Sequence, residues 1–151
     1  MSTIEVSLPG VSKLLAALRD ETGVAPSSVK CDPFLGTVAA YDLKSDSIRI
    51  RNAESDLTID VAFMFAHEWR HIWQAKKAPE IIKGYRDRAQ FGDVDEYNCQ
   101  PAEIDANAFA WHFLADVIGF PGKPTFPGLS RDTVAKVEAR KKEMEKQHGQ
   151  Q

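Results

Sequence analysis

Apolar and polar positions along the chain alternate with more than one period. In "GVSKLLAALRDETG", Val11, Leu14, Leu15 and Leu18 recur at helical spacing, and Gly23 stands just past the end as a stop; this predicts a helix over 10–21. "SSVKCDPFLG" carries no period and reads as connection. Two short β-prone runs, Thr37–Tyr41 and Ser47–Arg51, flank the polar turn Asp42–Asp46 and predict a hairpin. "AESDLTID" reads as a helix entry, with Ser55 or Asp56 as the cap. From about Asp60 to Lys77 the pattern is apolar nearly all round (Val61, Phe63, Met64, Phe65, Trp69, Ile72, Trp73), which predicts a buried helix ended by Pro79.

Residues 80–100 are polar and predicted irregular. A second strong helix opens at "QPAEIDANAFAWHFLADVIG", with Pro101 in its first turn and Gly119 closing it. "FPGKPTFPG", with three prolines in nine residues, is a loop, and 129–147 is a charged helix. Between Arg131 and Lys146 six basic residues face four acidic ones, which reads as a solvated face rather than a nucleic-acid patch. These elements add up to a single α+β domain over 1–151.

Composition narrows the function classes. The net charge of −3 gives no whole-molecule attraction to nucleic acid or anionic lipid. The longest apolar run, Val61 to Ala66, is six residues, against the roughly 20 a membrane-spanning helix needs. "MSTIEVSLPG" has neither a basic start nor an apolar stretch, so no secretion signal is expected. Cys31 and Cys99 form no CxxC pair and are expected to be reduced thiols of a cytoplasmic protein.

The chemistry-bearing stretch is "FMFAHEWRHIWQAKK". On a helix His67 and His71, four apart, lie on one face and can offer ring nitrogens to one ion; Glu68 lies about 100° round, close enough to bond a metal-held water without ligating the metal. With four His and ten Glu in the chain, a shuffled sequence shows HExxH with a probability of roughly one in two hundred. The competing reading is a pair of structural histidines in a core helix.

A catalytic zinc usually has a third protein ligand. Of Glu103, Asp105, His112 and Asp116, only Glu103 shares the small-residue stripe of Ala106, Asn107, Ala110 and Leu114 at about 100° per residue. Asp105, His112 and Asp116 cluster on the far side of that helix and read as a solvent face. Asn107, one turn after Glu103, is placed to bond the second nitrogen of a ligand histidine or to cap something else. Trp69, Trp73 and Trp111 read as core, and Arg70 as the partner of an acidic neighbour.

HExxH followed by a glutamate on a later helix resembles the ligand arrangement of gluzincin metallopeptidases. More narrowly, the hairpin "VAAYDLKSDSIRIRN", the HExxH helix and "EIDANAFA" resemble the small ImmA/IrrE-type metallopeptidases over about residues 37–118. Glu103, Asp105, Ala106, Asn107, Phe109 and Ala110 match the pattern of that family's second helix, with aspartate at the second acid. Trp69 and Arg70 depart from the small residues frequent inside that family's motif. The resemblance implies a minimal zincin fold, in which a small twisted sheet packs on the helices. It also implies one Zn²⁺ per chain on His67, His71 and Glu103, with Glu68 as general base.

The expected activity is hydrolysis of a protein or peptide substrate, with no nucleic-acid or membrane partner. The alternative is an inactive zincin scaffold that keeps the metal and serves as a binding module. The hairpin strand Ser47–Arg51 is the expected edge for pairing with an extended substrate. Tyr97 and Tyr85 are the candidates for an additional oxyanion donor, against a plain packing role for each.

Overall fold

The computed structural model describes residues 11–37, 39–51, 58–120 and 122–149. In chain order these form α1 (Val11–Thr22), β1 (Ser28–Cys31), β2 (Ala39–Asp42), β3 (Ser47–Ile50), α2 (Ile59–Lys77), a 3₁₀ turn (Arg88–Gln90), α3 (Val94–Asn98), α4 (Pro101–His112), a π-helical turn (Phe113–Ile118) and α5 (Arg131–Gly149). The class is α+β, with five α-helices and one three-stranded mixed sheet among the described residues.

The predicted hairpin forms, and a third strand joins it. β2 pairs antiparallel with β3, Tyr41 opposite Ile48, and β1 pairs with β3 in parallel, Val29 opposite Ile48. β1 lies in the segment read as connection. It is four residues long, with none of its side chains fully buried, so its membership in the sheet comes from backbone pairing alone. The order β1-β3-β2 corrects a further expectation. Ser47–Ile50 is the central strand, hydrogen-bonded on both sides, and cannot be the substrate edge. The edge beside α2 is β2.

Asp46 fastens the hairpin turn to its neighbours. Asp46 adopts φ 49°, a left-handed conformation that aspartate tolerates better than most residues. Its carboxylate accepts from the Ser27 backbone (3.0 Å), the Ser27 hydroxyl (2.7 Å), the Tyr41 hydroxyl (2.7 Å) and Lys76 Nζ (3.0 Å). Partial burial raises its proton affinity, but these donors outweigh it and hold the carboxyl down at about 2. The stabilisation is therefore complete above the ordinary carboxylate range and lost as pH falls through about 2. Asp46→Asn keeps the backbone preference and removes the charge. It is expected to cost about 1–2 kcal/mol at neutral pH in urea unfolding, with a gap to wild type that closes as pH drops towards 2.

α2 begins at Thr58, whose hydroxyl accepts from the Val61 N–H at 3.3 Å; the predicted caps Ser55 and Asp56 lie outside the described residues. Asp60 in the first turn and Lys76 and Lys77 in the last complement the helix dipole. α1 is fastened to α2 by the Trp69 indole N–H donating to the Thr22 hydroxyl, 3.0 Å.

α4 is the centre of the helical layer. It packs against α2 on one side and α5 on the other, and ten of its twelve residues are buried. That overturns the solvent face assigned to Asp105 and His112, which are 3% exposed each, while Asp116 does remain exposed. The missing partner was α5. Although mostly charged, it presents Thr133, Val137, Lys141 and Met144 to the interior, one narrow stripe among polar positions. The segment 80–100, expected to be irregular, contains α3. Asp93 caps it, accepting from the Asp95 N–H, and Asp95 in turn accepts from the Ser130 N–H at 2.7 Å. Five residues are too short for periodicity to reveal a helix. Gly128 lets the proline-rich loop press onto α3: at φ 80°, any Cβ there would stand 2.8 Å from the Val94 side chain. Among the described residues no helix is long and apolar enough to cross a membrane.

Candidate metal centre

The i, i+4 spacing on α2 puts the His67 and His71 rings edge to face, centroids 4.9 Å apart. α4 brings Glu103 to both. Its Oε2 lies 3.4 Å from His67 Nε2 and 2.8 Å from His71 Nε2. His67 is 6% exposed and Glu103 2%. Glu103 is thus the third member that the helical arithmetic selected.

The outer hydrogen bonds decide which atoms face inward. His67 Nδ1 lies 2.8 Å from Asn107 Oδ1, and the Asn107 amide is oriented by its own NH₂ donating to Asn98 Oδ1. His71 Nδ1 lies 2.9 Å from Gln74 Oε1, and the Gln74 NH₂ donates to Ala102 O and Asp105 Oδ2, both at 2.9 Å. An amide oxygen only accepts, so each Nδ1 must carry the proton. In the neutral rings both Nε2 atoms then present lone pairs towards Glu103 Oε2, and that buried oxygen has no hydrogen-bond partner.

Three acceptors turned on one point repel one another unless a cation joins them. In the metal-free protein protons supply it. Burial disfavours the His71 imidazolium, but its contact with Glu103 outweighs this and raises its pKa, while the imidazoles hold Glu103 well below the carboxylate range despite its burial. A bound metal ion would replace those protons. Two atoms each about 2.0–2.1 Å from one tetrahedral zinc lie about 3.3 Å apart. The observed 2.8 and 3.4 Å bracket that separation, so the donor set fits a divalent cation.

Glu68 stands beside this triad and outside it. It is partly exposed, and its Oε2 accepts from the Tyr41 N–H at 3.1 Å, so the edge of β2 orients it. Tyr85 and Tyr97 stand near His71. Their hydroxyls are 2.6 Å apart, and the Tyr85 ring lies 6.1 Å from that of His71. Burial and the Glu103 charge push the Tyr85 hydroxyl up to about 12 and Tyr97 higher still, so both remain protonated donors.

Sequence reasoning missed Gln74 and the real position of Asp105. Asp105 is gripped by Arg70 through two bonds (2.7 and 3.1 Å), by Arg140 from α5 at 2.9 Å and by Gln74. The Arg70 guanidinium also lies 3.5 Å over the Trp73 ring. The expected acidic partner of Arg70 is therefore Asp105, and the chain Arg140–Asp105–Gln74–His71 ties the centre to α5. Trp69 and Trp111 are core residues as expected. Cys31 and Cys99 are both free thiols.

Beside the centre lies a cavity of about 590 Å³, lined by Ile59, Phe63, Met64, Trp111 and Phe126 and reaching Asn107. None of His67, Glu68, His71 and Glu103 lines it. Comparison with protein-family models, curated proteins and solved structures finds no match for this chain. The functional reading accordingly rests on the geometry of the site.

Proposed function

We propose that the protein is a zinc-dependent metallopeptidase, in which His67, His71 and Glu103 hold the ion and Glu68 is the general base. What carries this reading is the pairing of three convergent, cation-demanding donors with an adjacent carboxylate that belongs to none of their bonds. When bound, zinc supplies Lewis acidity and lowers the pKa of a coordinated water towards ~7. A His₂Glu set with an open position suits that ion.

The chain's own residues then do the following. Glu68, held by the Tyr41 N–H, takes the proton of the attacking water and passes it to the leaving amine. The edge of β2, which delivers that N–H, runs beside the base and offers backbone groups to an extended peptide. Tyr85 and Tyr97 are protonated donors near His71 and Glu103, suited to the developing oxyanion. The cavity of about 590 Å³ beside Asn107 is larger than a single side chain needs and offers apolar surface to a substrate segment.

The test is metal analysis of the purified protein together with hydrolysis of an unfolded protein substrate before and after chelation. Zinc-dependent cleavage supports the reading, and failure to retain zinc ends it. A narrower expectation concerns the outer bonds. Asn107→Leu and Gln74→Leu remove the acceptors that fix the two ring tautomers, so each is expected to weaken zinc affinity about 10–100-fold in competition with a chromogenic chelator.

A further inference from the structure

The two histidines outside the metal centre repeat its construction at another place. His112 and His148 face each other edge to face, centroids 5.2 Å apart at 73°, and Glu21 completes the group. The donor atoms of Glu21, His112 and His148 lie within 4.8 Å of one another, the same condition met by His67, His71 and Glu103. His112 is 3% exposed and stands where α4 passes into the π-helical turn. Such turns recur at functional sites. Its Nδ1 lies 2.8 Å from Asp116 Oδ2, so an ionised Asp116 accepts a hydrogen bond from Nδ1–H and leaves Nε2 as the free lone pair. Lys141 Nζ, 3.5 Å from the same oxygen, favours the ionised form. This is the carboxylate–histidine pairing that commonly backs a metal-ligating imidazole.

The second imidazole supplies an independent observation. His148 Nδ1 is buried and has no hydrogen-bond partner, although Glu21 Oε1 is 3.2 Å away. A separation of 3.2 Å without hydrogen-bond alignment matches the roughly 3.3 Å between two ligands of one tetrahedral zinc. Glu21 is itself well placed, because the next residue, Thr22, is bonded to Trp69 of α2. The side chains of Glu21 and His148 are 24% and 38% exposed, so neither is locked by surrounding packing against a small rotation onto an ion.

We infer that Glu21, His112 and His148 form a second site for a divalent transition metal of the zinc class, joining the ends of α1 and α5 to α4. Two imidazoles and one carboxylate suit zinc, nickel or copper better than calcium or magnesium. The site lies apart from the HExxH centre, shares no ligand with it, and does not depend on peptidase activity. Its role is to fasten the last turn of α5 to the rest of the fold.

The test uses the full chain, stripped with chelator and titrated with Zn²⁺ alone by calorimetry, with thermal unfolding as the second readout. Wild type is expected to bind two equivalents per chain. His148→Ala, near the end of α5 and partly exposed, and His71→Ala are each expected to bind one, and the double variant none. Zinc is expected to raise the melting temperature of His71→Ala and to leave that of the double variant unchanged. One equivalent in wild type that disappears in His71→Ala overturns the second site, as does a His148→Ala variant that still binds two. One equivalent that survives His71→Ala and vanishes with His148→Ala would support this site while removing the first.

Discussion

Glu68→Gln is expected to lower kcat for peptide hydrolysis by about 10²–10⁴-fold while leaving zinc content and the fold intact. The expectation follows from where Glu68 stands. It takes no part in the His67–His71–Glu103 triad, so neutralising it removes no ligand. Glutamine has the same shape, and its amide oxygen can still accept from the Tyr41 N–H. What it cannot do is take a proton from water. The decisive comparison is metal analysis and substrate cleavage on the two proteins side by side. A variant that cleaves at the wild-type rate would remove Glu68 from the mechanism. Zinc in both proteins with cleavage by neither would end the peptidase reading and leave a metal-holding binding scaffold. Because the variant should still bind its substrate, it would also serve as a trap: the protein co-purifying with it would identify the target.

The second large effect concerns stability. Asp105→Ala is expected to cost about 3–5 kcal/mol, because it leaves the buried Arg70 guanidinium without its counter-charge. For a chain of this size that corresponds to a fall in melting temperature of roughly 6–20 °C. Arg140 loses a partner too, but its side chain is 25% exposed and water compensates part of that loss. The damage should reach the metal centre, since Gln74 gives up one of the two acceptors that orient it against His71. Equilibrium unfolding in urea measures the first effect and zinc competition the second. An Asp105→Ala protein within 1 kcal/mol of wild type would show that the Arg70 charge finds solvent. Replacing Arg70 and Asp105 together, with methionine and leucine, should recover part of the loss, because it leaves no charge stranded.

These two residues mark how far the chain could be read in one dimension. His67, Glu68 and His71 were legible because helical geometry acts over four residues: any helix across this stretch places both rings on one face and the carboxylate beside it. Glu103 and Asn107 were legible for a similar reason, as members of one stripe of small residues that admits a close neighbour. Asp105 was misplaced by the same arithmetic. Periodicity says which residues share a face, but the partner that covers a face is supplied from elsewhere in the chain. Here α5, whose charged sequence reads as solvated, covers it through four buried positions and Arg140. The strand order shows the same limit. Both β2 and β3 were visible as β-prone runs, yet β3 became the central strand only because β1, of the same length but largely exposed and without an apolar run, pairs with its other edge.

The amino-acid sequence by itself determined the longer helices, the buried α2 and the composition of the triad, since each depends on propensity and spacing within a few turns. Only the tertiary structure decided that Gln74 and Asn107 turn the two Nε2 lone pairs inward, that β2 holds Glu68, and that Glu21 meets His112 and His148. Those contacts join residues far apart in the chain, and no local period records which distant side chain will arrive to take a hydrogen bond.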